Sequence, residues 1–223
     1  MNTKQSLALV STSALAAGMA QGGIIYSGSL NLQQPYAASG LARQGVDMTG
    51  DGTNDFAFGY EANAALKPYV DGRTFVESAL PPQSGIVSVL TKANTGLPVT
   101  AAGTMIDATY AAAYPPQMGT NSNTGRGYMY QSGDGSTIVG DWSNTATTDA
   151  YVGIELSLSG GTRFGWLHFV DNPASSPQTL TLKDWAYQST AGVGIAAGAV
   201  PEPNVLGLSA LGLAGLLASR RRK

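Results

Sequence analysis

The chain contains no cysteine and a single histidine, His168, among its 223 residues. The missing thiols exclude disulfide bonds, cysteine nucleophiles and cysteine-ligated zinc. A lone histidine excludes metal motifs that need two. Charged residues are also scarce, at 12% of the chain. The fold must therefore rest on its hydrophobic core, with an oxygen-ligated metal as the one inorganic support that the composition allows.

Residues 1–20 predict a secretory signal peptide. Lys4 supplies the positive start, an apolar region covers residues 7–15, and small residues lead up to a cleavage site after Ala20. The apolar region is too short to act as a membrane anchor. We expect signal peptidase to remove this segment after Ala20; cleavage after Ala16 and a disordered N-terminus are the alternatives.

Residues 200–223 have three parts in a fixed order. A short extended element, Pro201, Glu202 and Pro203, comes first. An uncharged run of about 16 residues, 204–219, follows and is near the lower length limit for a transmembrane helix. Four cations come last: Arg220, Arg221, Arg222 and Lys223. The positive-inside rule keeps these cations cytoplasmic and places the preceding residues outside. A buried amphipathic helix, the alternative, needs a polar face that this run lacks.

The order VPEP, hydrophobic span, RRRK closely resembles the PEP-CTERM sorting signal of exported bacterial proteins. The resemblance implies that exosortase, a membrane protease, recognises the three parts and removes the anchor. It further implies an inner-membrane-anchored intermediate, and then a place at the cell surface or in the exopolysaccharide matrix of a biofilm. The signal covers a small part of the chain and leaves the activity of the main domain open.

Removal of both ends leaves residues 21–203, with seven of the 12 cations and all 14 acidic residues, a net charge of −7. This charge disfavours nucleic acid or an anionic membrane surface as the main partner. It is compatible with divalent cations and neutral glycans.

Residues 21–199 predict an all-β fold, a single antiparallel β-sandwich of jelly-roll-like type. Short runs alternate between apolar and polar residues and are separated by turn residues. The predicted strands are 24–32, 55–60, 85–90, 150–158, 163–170 and 179–187. A more loosely matching stretch, from FGWLHF to GVGIAAG, resembles the C-terminal half of PEP-CTERM passenger domains and supports one domain ending near Ala199.

A Gly-Gly turn at 159–162 predicts a hairpin between two of these strands. The alternation of Tyr151, Gly153, Glu155 and Ser157 with apolar residues predicts that one face of the hairpin is solvated. Residues 100–116 fit either a short helix or a long loop. Residues 119–142 are turn-rich, with room for one or two short strands.

The sharpest candidate for a binding site is the stretch DMTGDGTND, residues 47–55. We predict that it binds Ca²⁺ through the side chains of Asp47, Thr49, Asp51 and Asp55 and the backbone carbonyl of Thr53. The stretch resembles the calcium loops of FG-GAP repeats, which also run directly into a β-strand. Its twelfth position lacks the glutamate of an EF-hand, and no helices flank it. The alternative is a turn whose carboxylates accept hydrogen bonds from backbone amides.

Other residues suggest weaker hypotheses. His168 is expected to be structural, because no nucleophile motif accompanies it. A glycan-processing enzyme would need a facing pair of carboxylates from Glu61, Glu77 and Glu155. A carbohydrate-binding module would need exposed aromatic residues, for which the tryptophans are candidates: Trp142, Trp166 and Trp185.

The preferred interpretation is a non-enzymatic, exported protein of the cell surface or extracellular matrix, with a structural or adhesive role associated with exopolysaccharide. Its predicted partners are signal peptidase and exosortase during export, the membrane before processing, and polysaccharide afterwards. A carbohydrate-binding module is the first alternative and a glycan-processing enzyme the second.

Overall fold

The structure, a computed structural model, describes residues 23–35, 40–63, 71–78, 87–92, 96–117, 126–131, 141–142, 146–172 and 179–201. These residues form thirteen strands and, within the described ranges, one helix. The strands are β1 Ile24–Tyr26, β2 Leu32–Pro35, β3 Gly40–Val46, β4 Phe56–Asn63, β5 Asp71–Ser78, β6 Val87–Leu90, β7 Met105–Ile106, β8 Pro116–Gln117, β9 Arg126–Gln131, β10 Thr148–Leu158, β11 Gly161–Asn172, β12 Thr179–Gln188 and β13 Ile195–Ala196. The helix, α1, is Ala108–Ala113. The all-β prediction is confirmed.

All of the strands pair antiparallel, in three sheets. The largest has seven strands in the order β1-β12-β11-β10-β6-β8, with β2 also on β12. A four-stranded sheet has the order β3-β4-β5-β9, and β13 pairs with β7 in a small ribbon. The predicted hairpin is confirmed, since Leu158 of β10 lies opposite Gly161 of β11. Gly160 and Gly161 have φ of 91° and 118°, which glycine adopts without steric cost and which lets the chain reverse within two residues.

A first core is shared by the seven-stranded and four-stranded sheets. Phe58 of β4 meets Phe169 of β11 edge to face, with ring centroids 5.3 Å apart. The fully or nearly fully buried members of this core come from both sheets and from the loops between them: Val46, Met48, Phe56, Phe58, Val87, Val89, Leu97, Met129, Trp142, Ala150, Val152, Ile154, Leu156, Leu167, Phe169, Leu180, Leu182 and Trp185. The shared core is consistent with a sandwich, and the jelly-roll-like arrangement stays a prediction.

A second core covers most of the opposite face of the seven-stranded sheet, so the prediction that this face is solvated holds at Ser157, which is exposed, and is wrong for the rest. Gly153 is buried, while Tyr151 and Glu155 are half-buried. The covering comes from α1, β7 and residues 195–199. The buried members are Leu90, Ile106, Ala111, Phe164, Trp166, Ala186, Ile195 and Ala197. The alternation in β10 is real, but Gly153 makes room for Tyr110 of α1, and the ring of Tyr151 packs against the second core.

The ambiguous segment 100–116 contains α1 because Asp107 caps it. The Asp107 carboxylate accepts hydrogen bonds from the backbone N–H groups of Thr109 and Tyr110, both at 2.9 Å. The helix ends at Ala113, with Tyr114 as its C-cap, just before two prolines that cannot continue it. In the turn-rich region 119–142, the described residues include the strand β9.

The predicted first strand, 24–32, is wrong as one element. β1 ends at Tyr26 and β2 begins at Leu32, because Gly28 and Asn31 between them have φ of 71° and 53°. A left-handed backbone interrupts an extended run. Both strands nevertheless pair with β12, so the chain bends once and returns to the same edge.

Candidate functional site

The 47–55 loop joins β3 to β4, and its carboxylates bind the loop's own backbone. Asp47 accepts hydrogen bonds from the N–H of Gly50 at 2.6 Å and of Gly52 at 2.8 Å. The bond from Gly52, with further backbone bonds, holds the pKa of the Asp47 carboxyl below its usual value. Asp51 accepts a hydrogen bond from the N–H of Thr53 at 2.7 Å. These are the contacts of a carboxylate-capped turn.

Asp55, at the end of the loop, is buried beside the first core and hydrogen-bonded to the start of the loop. Its side chain is fully buried, and Oδ2 accepts hydrogen bonds from the N–H of Met48 at 2.7 Å and of Thr49 at 2.9 Å. Its own N–H donates to the carbonyl of Val46 at 2.8 Å. A carboxylate buried in this way is stabilised by the amides around it. The loop is thus held at both ends.

The geometry of the loop favours the turn over the cation site without deciding between them. Asp47 and Asp55 accept from different amides, and the hydroxyl of Thr49 lies 3.4 Å from Asp47 Oδ1. Across the part of the chain that the structure describes, no three acidic or histidine side chains converge as metal ligands would. Calcium binding by the five predicted residues stays a prediction.

A second polar cluster, which the sequence did not reveal, surrounds His168 on the face of the second core. His168 Nε2 lies 2.6 Å from Asp149 Oδ1, and Nδ1 lies 3.1 Å from Asp184 Oδ1. The hydroxyl of Tyr26 donates to Asp184 Oδ2 at 2.9 Å. Three neighbouring strands and β1 supply these residues. We call Tyr26, Asp149, His168 and Asp184 the histidine cluster.

Aromatic rings enclose one side of the histidine cluster. The ring of Tyr151 stacks on His168 with centroids 4.5 Å apart and 19° between the planes. Trp166 meets Tyr151 edge to face at 5.3 Å. Burial, with the hydrogen bond and charge of Asp184, raises the pKa of Tyr26, and burial raises that of Tyr151. The cluster therefore forms the polar border of the second core.

Strand register explains why the histidine cluster assembles. Tyr151 lies opposite His168, and His168 lies opposite Asp184 on the next strand. The register follows from the two-residue hairpin turn, so the turn and the alternation together could have placed Tyr151 beside His168. The pairing of β11 with β12 includes a register shift after His168, which no sequence pattern announces.

Neither ring nitrogen of His168 is directed at a hydroxyl nucleophile, because each lies beside a carboxylate oxygen. A neutral imidazole donates one hydrogen bond, so only the doubly protonated ring donates to both carboxylates. The arrangement resembles a cross-link between strands. Among the described residues, no serine is a hydrogen-bond partner of His168.

The three tryptophans do not form an exposed platform. Their residues are 2%, 1% and 7% exposed for Trp142, Trp166 and Trp185, respectively. Each packs in one of the two cores. The tryptophans therefore do not support the alternative of a sugar-stacking platform, because a large aromatic side chain contributes most when it is buried in the core.

The three glutamates that could have formed a catalytic pair lie on two different sheets. Glu61 is on β4 and Glu77 on β5, whereas Glu155 is on β10 of the seven-stranded sheet. Burial raises the pKa of the Glu155 carboxyl. The strand assignments give Glu155 no partner from the four-stranded sheet, and they do not test whether Glu61 and Glu77 act together.

The chain is tied into the fold up to the beginning of the predicted sorting signal. Ala197 N–H donates to the carbonyl of Thr104 at 2.8 Å, and Ala199 N–H donates to that of Ala196 at 2.9 Å. Val200 and Pro201 are exposed. The predicted signal peptide and the predicted span lie outside the described residues. So do the remaining predicted sorting residues: Glu202, Pro203, Arg220, Arg221, Arg222 and Lys223. Within the described ranges, no helix is long and apolar enough to cross a bilayer.

Comparison with known proteins identifies the C-terminal segment. Residues 199–223 match the family model described as the PEP-CTERM protein-sorting motif. The match begins at the residue where the hydrogen-bonded fold ends, and it indicates an exported protein that is targeted to exosortase. No curated protein and no solved structure shows significant similarity to the chain.

Proposed function

We propose that the chain is an exosortase-processed protein of the bacterial cell surface or extracellular matrix, with a non-enzymatic, structural or adhesive role in association with exopolysaccharide. The observation that carries this proposal is the sorting motif at residues 199–223, placed directly after a tightly bonded domain end. The signal peptide predicted at residues 1–20 gives the matching entry into the export route.

Two features of the domain support a non-enzymatic role. The one histidine has a carboxylate at each ring nitrogen, which favours a fixed cross-link over a general base that exchanges protons with substrate. The tryptophans and most large apolar side chains are used in the two cores. Both features are typical of a protein whose function is its stable fold.

The sorting part of the proposal is tested by the mass of the released protein. Arg220, Arg221, Arg222 and Lys223 are replaced by neutral residues, and the chain is expressed in a host that has exosortase. We expect wild-type protein to be released without residues 1–20 and without the segment after Pro203, and the variant to stay unprocessed because its membrane orientation is weakened. Normal release of the variant would show that the basic tail is not part of the signal.

The matrix part is tested with the released product. We expect the purified product to co-sediment with exopolysaccharide from the same host and to leave its chain length unchanged. A shortening of the polysaccharide would replace the structural role with an enzymatic one. A product that neither co-sediments with the polysaccharide nor hydrolyses it would contradict the association with exopolysaccharide and leave the sorting conclusion unchanged.

A further inference from the structure

Exposed apolar side chains gather where the chain leaves the fold. Among the described residues, five large hydrophobic residues are exposed, and four belong to segments that meet at this point: Val99, Met105, Val193 and Val200, at 40%, 53%, 43% and 45% exposure. We call these four residues the exit patch. The fifth, Ile25, is 42% exposed and lies on the β1 edge strand. Single exposed apolar residues are ordinary, but their concentration at one end needs a reason.

The ribbon of β7 and β13 brings Met105 and Val193 together. Met105 lies opposite Ala196 in the ribbon. A Cβ added at Gly194 would lie 3.0 Å from Met105 Sδ, so the backbone directly after Val193 runs beside this side chain. The backbone of Gly103 donates to the carbonyl of Ala197 at 2.9 Å, which fixes the loop before β7 to the same segment.

Val99 and Val200 join the exit patch through Tyr151. Thr100, which follows Val99, exchanges two backbone hydrogen bonds with Tyr151, at 3.1 and 3.0 Å. A Cβ added at Gly198 would lie 2.8 Å from the Tyr151 hydroxyl oxygen. Residues 198–200 therefore run past the Tyr151 side chain, and the Val99 segment is paired with the backbone of the same residue.

The exit patch is within short reach of the predicted membrane span. Ala199 is the last residue with a hydrogen bond into the fold, and the uncharged run begins at residue 204. Five residues of fully extended chain span at most about 18 Å. While the anchor is in place, this end of the domain therefore stays within that distance of the bilayer.

We propose that the exit patch contacts the lipid bilayer in the anchored form, which orients the domain and presents Pro201, Glu202 and Pro203 at the depth of the membrane protease. This inference rests on the proposed sorting function. The contact is apolar, since a net charge of −7 for residues 21–203 disfavours electrostatic attraction to anionic lipid. It needs little intrinsic affinity, because the anchor supplies a high effective concentration of lipid. Apolar side chains at this position enter the boundary between headgroups and acyl chains.

The absence of cysteine makes a direct test simple. Met105→Cys and Ile25→Cys each create one labelling site in the full anchored chain, for an environment-sensitive fluorophore. Position 25 is the matched control because its exposure is similar and its side chain alternates with Ile24 and Tyr26, which pack in the second core. The labelled chains are reconstituted into phosphatidylcholine vesicles with or without lipid brominated near the headgroup end of the acyl chains. Unlabelled variants with wild-type thermal midpoints confirm that the fold is retained.

We expect a blue shift and bromolipid quenching at position 105, and neither at position 25. Equal emission at the two positions would overturn the inference, because the exit patch would then remain in water. A blue shift at position 105 without bromolipid quenching would also overturn it, since a second copy of the chain or another protein would be covering the patch. Flotation with the vesicles tests the anchor separately. Chains that float but show no bromolipid quenching contradict the lipid contact alone. Chains that fail to float contradict membrane anchoring, and the inference that rests on it is lost as well.

Discussion

The two faces of the seven-stranded sheet are built differently from the same strands. The first face packs against the four-stranded sheet through fully buried apolar side chains such as Phe169 and Ile154. The second face mixes buried apolar residues with the histidine cluster and is closed by one short helix and the last segment of the domain. The first face supplies hydrophobic stability. The second carries the histidine cluster and the segment that leads to the sorting motif.

The largest effect should come from the first face. Phe169→Ala removes a fully buried ring and its edge contact with Phe58, and we expect it to lower the free energy of unfolding by about 3–5 kcal/mol. Urea denaturation measures this loss. Ile25→Ala, at an exposed position, is the control and should change stability by less than about 0.5 kcal/mol. Similar midpoints for the two variants would mean that the sheets do not share a rigid core.

The second face should respond to added volume. A Cβ at Gly153 would lie 2.9 Å from Tyr110 Cε1 and 3.2 Å from Leu90 Cδ1. We therefore expect Gly153→Ala to destabilise the domain by about 1–3 kcal/mol, since α1 has to move off the sheet. Gly23→Ala is the matched control, because nothing lies within 4 Å of its Cβ position. If both substitutions leave the urea midpoint unchanged, α1 is not fixed on this face.

The histidine cluster should make the second face sensitive to alkaline pH. Burial is the largest cause of a raised pKa in four tyrosines: Tyr26, Tyr110, Tyr151 and Tyr187. Tyr26 belongs to the histidine cluster, and Tyr151 stacks on His168 at its border. The fold favours the protonated phenol, so its stabilising effect is present below the ordinary pKa of 10.0 and is lost as the pH rises through the higher folded-state pKa. Unfolding midpoints should fall between about pH 9 and about pH 11.

Tyr26→Phe isolates one of these phenols. It removes the hydrogen bond to Asp184 and should cost about 1 kcal/mol at neutral pH, with a shallower decline in the alkaline range. Denaturation with urea at both ends of the range measures the two effects together. If the stability of the variant fell as steeply with alkaline pH as that of the wild type, the pH dependence would belong to the other three phenols.

The smallest expected effect concerns the 47–55 loop, which borders the first core. At the weak end of calcium-loop affinities, about 1 mM Ca²⁺ would stabilise the wild type by about 0.4 kcal/mol. Asp51→Ala should remove this shift, whereas Asp141→Ala, outside the loop, should keep it. Thermal midpoints with calcium and with magnesium measure it. A wild-type midpoint that does not respond to calcium would leave the carboxylate-capped turn as the correct description.

The elements that the sequence predicted well are those with local signals. The turn at Gly160 and Gly161 needs left-handed backbone, and long alternating runs on both sides of it predict the hairpin directly. The sorting motif is equally local, because its three parts follow one another in the chain. The DMTGDGTND stretch was recognisable as a turn for the same reason. The sequence alone does not distinguish a carboxylate-capped turn from a calcium loop, since backbone amides and calcium compete for the same carboxylate oxygens.

The features that the sequence missed depend on contacts between distant segments. Whether the Tyr151 face is solvated depends on α1 and residues 195–199, which alternation within β10 cannot report. The exposure of a tryptophan is equally a property of packing, and Trp166 is covered by segments remote in sequence. Asp149 and Asp184 reach His168 from separate strands, and the register shift beside His168 follows no recognisable pattern.

The pairing of β1 with β12, and of β7 with β13, also has a consequence for the order of events during secretion. Residues 24–26 pair with residues 186–188, and the β7–β13 ribbon closes only with residues 195–196. Contacts this distant in sequence fold slowly, because long loops must close before they form. The sheet is therefore incomplete until almost the whole passenger has crossed the membrane. Its completion therefore comes just before the residues that match the sorting motif, 199–223, reach the membrane.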